Sequence, residues 1–113
     1  MSVEREIAER MRPWARKGGK TNRRVQYRRL LAFGAWLDSQ EGGPRALHEV
    51  GKRQAVQWYR HLEVEGRAEA TVRAHGYAVR ALWVRLGRDP GAVVYWPPGR
   101  RKPRPRRGRR GRG

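Results

Sequence analysis

The 113-residue chain has room for one domain with one modest core, and its 28 Lys and Arg against 10 Asp and Glu leave a net charge of +18. The absence of cysteine excludes disulfides, thiolate chemistry and cysteine-ligated metals, and His48, His61 and His75 lack the paired spacing of a zinc site. No segment approaches the ~20 apolar residues of a spanning helix, and acids in SVEREIAERMR stand where a secretory leader would be basic and then apolar.

Residues 2–16, SVEREIAERMRPWAR, predict a short helix capped by Ser2, with Ile7, Ala8 and Met11 on one side and Pro13 as its stop or bend. RKGGK at 16–20 reads as a basic hinge. From Thr21, the expected N-cap, TNRRVQYRRLLAFGAWLDSQ has helical periodicity. Tyr27, Leu30, Phe33, Gly34 and Leu37 share one face, with Arg24, Arg28 and Ser39 near the opposite side. EGGP at 41–44 ends that helix.

Leu47 and Val50 then predict a short packed turn before a helix from about Lys52 to Glu65. Its apolar stripe is Ala55, Trp58, Tyr59 and Leu62, and Gly66 stands at the C-terminal cap. A third long helix is expected to start at Thr71 as its cap. Val72, His75, Ala78, Val79, Leu82, Trp83 and Leu86 form its apolar arc, and Gly87 closes it before the turn RDPG at 88–91. No stretch has the period-two alternation of a sheet.

The fold class is therefore all-α, a compact bundle of three to four helices. In chain order the protein divides into an N-terminal helix and hinge (1–19), a helical body (20–91), an apolar strap AVVYWPPG (92–99) and an Arg/Gly/Pro-rich tail (100–113). The tail has no apolar residue with which to bury surface and is expected to be disordered.

Residues 1–99 hold 19 basic and 10 acidic residues, and residues 100–113 nine basic and none acidic, so each part contributes +9. A surplus on this scale suits a polyanion. Nucleic acid is preferred over an anionic membrane surface, because each phosphate neutralised releases a condensed counterion. The expected location is cytoplasmic and nucleoid-associated, with no membrane partner and no cofactor.

Thr21, Tyr27, Phe33, Trp36 and Leu37, then Leu47, Val50, Tyr59, Leu62, Gly66 and Thr71, follow a recognisable order. Over about residues 20–90 this order resembles the core-binding, SAM-like domain of phage-integrase-type tyrosine recombinases. The resemblance implies that the first and third long helices lie against duplex DNA. In that family a second domain of well over a hundred residues supplies an arginine, a basic β-hairpin residue, a His-x-x-Arg box and the nucleophilic tyrosine. The sequence after Arg88 offers no such domain, and in HGYAVR Arg80 stands five positions after His75, not three. The resemblance is to the clamp half of an integrase without its cutting half.

Helical geometry separates the residue types that strand transfer would need at one phosphate. His75 falls in the apolar arc, whereas Arg73, Tyr77 and Arg80 lie within about 60° of one another on the opposite face. We therefore expect no catalytic residue and a non-catalytic duplex-DNA-binding protein. The expected contacts are Lys20, Thr21, Arg24 and Arg28 on the first long helix and Thr71, Arg73, Tyr77 and Arg80 on the third. The tail adds Arg100, Arg101, Lys102, Arg104, Arg106, Arg107, Arg109, Arg110 and Arg112.

Thr21 and Thr71 are each expected to give a hydroxyl or a free backbone N–H to a phosphate at a helix start, and the tail is assigned phosphates or a minor groove. Arg60, Arg67, Arg85 and Arg88 are secondary candidates. Regulation, maintenance and recombination of a mobile element such as a plasmid or phage all fit as roles. An RNA- or ribosome-associated basic protein and the N-terminal fragment of a recombinase are the competing readings. A dimer on DNA is open, since no heptad repeat specifies one.

Overall fold

Ser2 caps the first helix as its position predicts, its hydroxyl accepting from the Arg5 N–H at 3.1 Å. The computed structural model describes residues 2–17 and 21–98, and among these every regular element is helical. Helix α1 spans Val3–Arg16, α2 Thr21–Ser39, α3 Lys52–Val64 and α4 Glu69–Arg85. Single 3-10 turns cover Leu47–Glu49 and Pro90–Val93. None of these helices is long and apolar enough to cross a membrane. Of the expected hinge at 16–20, Arg16 ends α1 and residues 18–20 lie outside the described residues, as does the tail at 100–113 with its expected disorder.

Of the two outcomes expected at Pro13, a stop or a bend, the stop does not occur. The helix runs through it to Arg16, and the buried Ala15 lies beyond it. A proline this near a helix end removes one amide donor, and packing of the last turn outweighs that loss. Arg23 of α2 holds the same turn, donating to the Trp14 carbonyl at 3.1 Å with its guanidinium 5.2 Å from the Trp14 ring centre.

Helices α1 and α2 are antiparallel. Asp38, at the end of α2, accepts from the N–H groups of Val3 at 2.8 Å and Glu4 at 3.0 Å, at the start of α1. Midway, the Tyr27 hydroxyl donates to the Ala8 carbonyl at 3.4 Å, and Arg23 meets Trp14 near the other end. Gly34 makes this approach possible: a Cβ there would lie 2.6 Å from Glu4 Cα, inside any allowed contact.

One core joins all four helices. Val3, Ile7 and Met11 of α1 meet Leu30, Phe33 and Leu37 of α2. The predicted α3 stripe of Ala55, Trp58, Tyr59 and Leu62 is buried throughout, as is the α4 arc from Val72 to Trp83. Side chains of this size each contribute ~1.5–3 kcal/mol on full burial. Leu86 is only partly buried, at the rim.

Helix α3 starts with Gln54 reaching back to accept from the Gly51 N–H at 2.7 Å. It ends at Gly66, whose φ of +85° lets Gly66 and Arg67 donate back to Glu63 and Leu62. Thr71 is not a cap. Helix α4 begins two residues earlier at Glu69, with Ala68 as its N-cap, and the Thr71 N–H donates to the Ala68 carbonyl at 2.9 Å. Glu69 explains the earlier start, since it favours a first helical turn and pairs with Arg73 one turn on at 2.8 Å.

Candidate nucleic-acid interface

Most carboxylates of the protein are occupied in holding it together. Asp38 caps α1, Glu6 accepts from the Leu47 N–H at 3.1 Å, and Glu49 from the Arg45 backbone N–H at 2.9 Å. Asp89 accepts from Gly91, while Glu63 takes Arg60 and the Tyr95 hydroxyl. Glu9, Glu65 and Glu69 pair with Arg5, His61 and Arg73 along their own helices. Negative charge is thereby drawn into local bonds, and a surplus of guanidinium groups faces outward.

Among the expected contacts on α2, Arg24 and Arg28 are exposed and make no ion pair among the described residues. Lys20 and the side chain of Thr21 lie outside the described residues, although Thr21 opens α2. Thr71 is half-buried inside the first turn of α4 with its N–H already used. The assignment of a phosphate to a free Thr71 amide at a helix start is thus corrected: the N–H is bonded, and the helix starts at Glu69.

Arg73, Tyr77 and Arg80 do share one side of α4. Tyr77 is 52 % exposed, and Val84, one turn beyond Arg80, is 60 % exposed and lengthens the row. The three differ in freedom. Arg73 is tied to Glu69 by a surface pair worth ~0.3–0.5 kcal/mol, which a phosphate displaces at little cost and which leaves its other N–H donors open. Arg80 has no carboxylate partner among the described residues. Its guanidinium lies 5.8 Å from the Tyr77 ring centre, and its Nε–H is buried without an acceptor.

The strap decides what stands beside this row. Tyr59 donates to the Val93 carbonyl at 2.6 Å, and Tyr95 donates to Glu63 at 2.6 Å, so two phenols pin residues 93–95 to α3. Burial raises the Tyr59 phenol far above its usual range, opposed only by the cation of Arg80. Burial and the Glu63 carboxylate push Tyr95 up to about 12. Both phenols therefore keep their protons at neutral pH and remain donors.

Gly76 lets the strap approach, since a Cβ there would come 3.1 Å from that of Tyr95. Between Arg73, Tyr77 and Arg80 on one side and Val94–Pro97 on the other lies a groove of about 300 Å³. Arg24 and Arg28 are not among its walls. Trp96, which helical periodicity leaves unplaced, lines it.

His75 sits on the inner side of α4, 8 % exposed, with its ring edge-on to Trp58 at 5.6 Å. Burial, then the nearby Arg29 and Arg67 cations, hold it neutral down to about 4. Its surroundings are the aromatic cluster of Phe33, Trp36, Trp58 and His61, away from the arginine row. Arg88 is likewise structural: it lies over Trp83 and donates to the carbonyls of Val50 and His48. Arg60 is bound to Glu63.

Sequence reasoning missed Val84, Trp96 and Gly76. Only Gly76 left a signal, because a glycine inside a helix costs ~1 kcal/mol against alanine and often marks a close approach. Comparison with protein-family models, with curated proteins and with solved structures finds no match.

Proposed function

We propose that the protein is a non-catalytic duplex-DNA-binding protein built on an integrase-like core-binding domain, held to DNA by the α4 row and by the arginine-rich tail. The observation that carries this reading is the α4 face. Two arginines with an exposed tyrosine between them stand on a rigid helix, in a body whose carboxylates are mostly bonded internally. Arginine suits guanine edges and phosphates, while Tyr77 and Val84 suit sugar and thymine methyl groups.

Arg24 and Arg28 add phosphate contacts on α2, and the nine basic residues of 100–113 supply affinity that falls steeply with salt. The burial of His75 away from Arg73, Tyr77 and Arg80 supports a binding role over strand transfer, because one phosphate would not meet all four groups. Regulation, maintenance or recombination of a mobile element would each use such a protein, in the cytoplasm and on the nucleoid.

RGRRGRG at 107–113 favours a second reading, an RNA- or ribosome-associated protein. Competition at matched salt separates the two. The DNA reading expects duplex DNA to displace a labelled duplex at least tenfold better than structured or single-stranded RNA of equal length, about 1.4 kcal/mol. Preference for the RNA would overturn it.

A further inference from the structure

The groove beside α4 has a chemistry that flat helix faces lack. Its opening is flanked by the exposed Tyr77 ring and by Trp96, partly exposed, with Arg73 and Arg80 on the same side as Tyr77. Its volume of about 300 Å³ is at the small end of the ~300–1,000 Å³ of ligand sites, suited to a single planar group with a phosphate and to nothing long. The walls are set in place before any ligand arrives. Tyr59 and Tyr95 anchor the strap through hydrogen bonds of 2.6 Å each, and Gly76 keeps the space between strap and helix clear of a side chain.

Arg80 strengthens the case for an anionic occupant. It is partly buried, it has no carboxylate partner among the described residues, and its Nε–H finds no acceptor in the protein. Buried donors of this kind are rare in folded proteins, and because this one is closed to solvent, an anion in the groove would meet the terminal N–H groups of the guanidinium.

We propose that this groove takes one unstacked nucleotide of DNA, its base against Tyr77 and Trp96 and its phosphate against Arg73 and Arg80. The inference rests on the DNA reading of the same α4 row and narrows it. The preferred DNA is a duplex interrupted by an unpaired or extrahelical base, because an intact stack offers no free π-face to the two rings.

Fluorescence anisotropy with the full chain tests this, using an intact duplex and the same duplex carrying a single-thymine bulge. The bulged duplex is expected to bind about tenfold more tightly, the scale of one base–aromatic stack. Trp96→Ala is expected to bring the affinities for the two duplexes within about twofold of each other, and Trp96→Phe to restore the preference. Iodouracil at the bulge is expected to crosslink to the tryptic peptide containing Tyr77 or the one containing Trp96.

Equal affinity for both duplexes overturns the groove assignment and leaves the duplex reading standing. A preference that survives Trp96→Ala, with crosslinks only to other peptides, overturns it as well. Binding of the bulged DNA without the intact duplex would support the groove and overturn the duplex reading. Binding of neither overturns both.

Discussion

The basic faces of α2 and α4 look alike in sequence and sit in different surroundings. Arg24 and Arg28 stand on an open surface with no ion pair among the described residues. Arg73 and Arg80 are constrained, one by Glu69 and the other by half-burial beside Tyr77, and a strap rises next to them to make a groove. Free, mobile arginines suit charge neutralisation in any register. Arginines held in place by neighbours suit contacts that depend on geometry, since less side-chain freedom is lost when the contact forms.

Paired substitutions can break this contrast. Arg73→Ala with Arg80→Ala is expected to lower affinity for duplex DNA by about 10- to 100-fold, as the loss of two arginine contacts implies. The discrimination between preferred and random sites should shrink with it, while the helical circular dichroism is retained. For Arg24→Ala with Arg28→Ala the expected loss is about 3- to 10-fold, uniform across sequences. The slope of log affinity against log salt should become shallower by about 2. Titrations over a salt series, on selected and random duplexes, read both outcomes; equal and uniform losses from the two pairs would erase the distinction.

A stability effect separates the inner side of α4 from its outer side. Folded His75 takes its proton only near 4, against 6.5 ordinarily. Between those values the unfolded chain binds more protons, so stability rises with pH through this window and is lost on acidification from about 6.5 to about 4. The loss is on the order of 3 kcal/mol. His75→Leu, which also removes the unpartnered Nδ1, should flatten the dependence in urea unfolding followed across that range. An unchanged slope would show that other groups cause it.

The helical stripes were legible because burial in a bundle follows the 3.6-residue period. The α3 stripe is buried at all four expected positions, and α2 differs only in a Tyr27 that is partly buried. Boundaries were less legible. Thr71 has the side chain of a cap, yet Glu69 and its bond to Arg73 draw the helix start forward, and Pro13 is outweighed by the packing around it.

The groove was hidden for a different reason. Its parts are Gly76, Trp96 and the anchors Tyr59 and Glu63, which come from separate segments and meet only after folding. Sequence periodicity placed Arg73, Tyr77 and Arg80 on one side of a helix. What faced them lay outside its reach.

The most direct test of the α4 face removes the tail, whose charge alone gives any protein some affinity for DNA. A chain ending at Pro98 keeps every residue of the described core. Its binding to a selected duplex is measured with and without Arg73→Ala and Arg80→Ala. The account predicts measurable binding by the shortened chain and a fall of at least tenfold, about 1.4 kcal/mol, in the double variant. Equal affinity of the two shortened chains would contradict it, and binding by neither would leave the tail as the sole DNA-binding element.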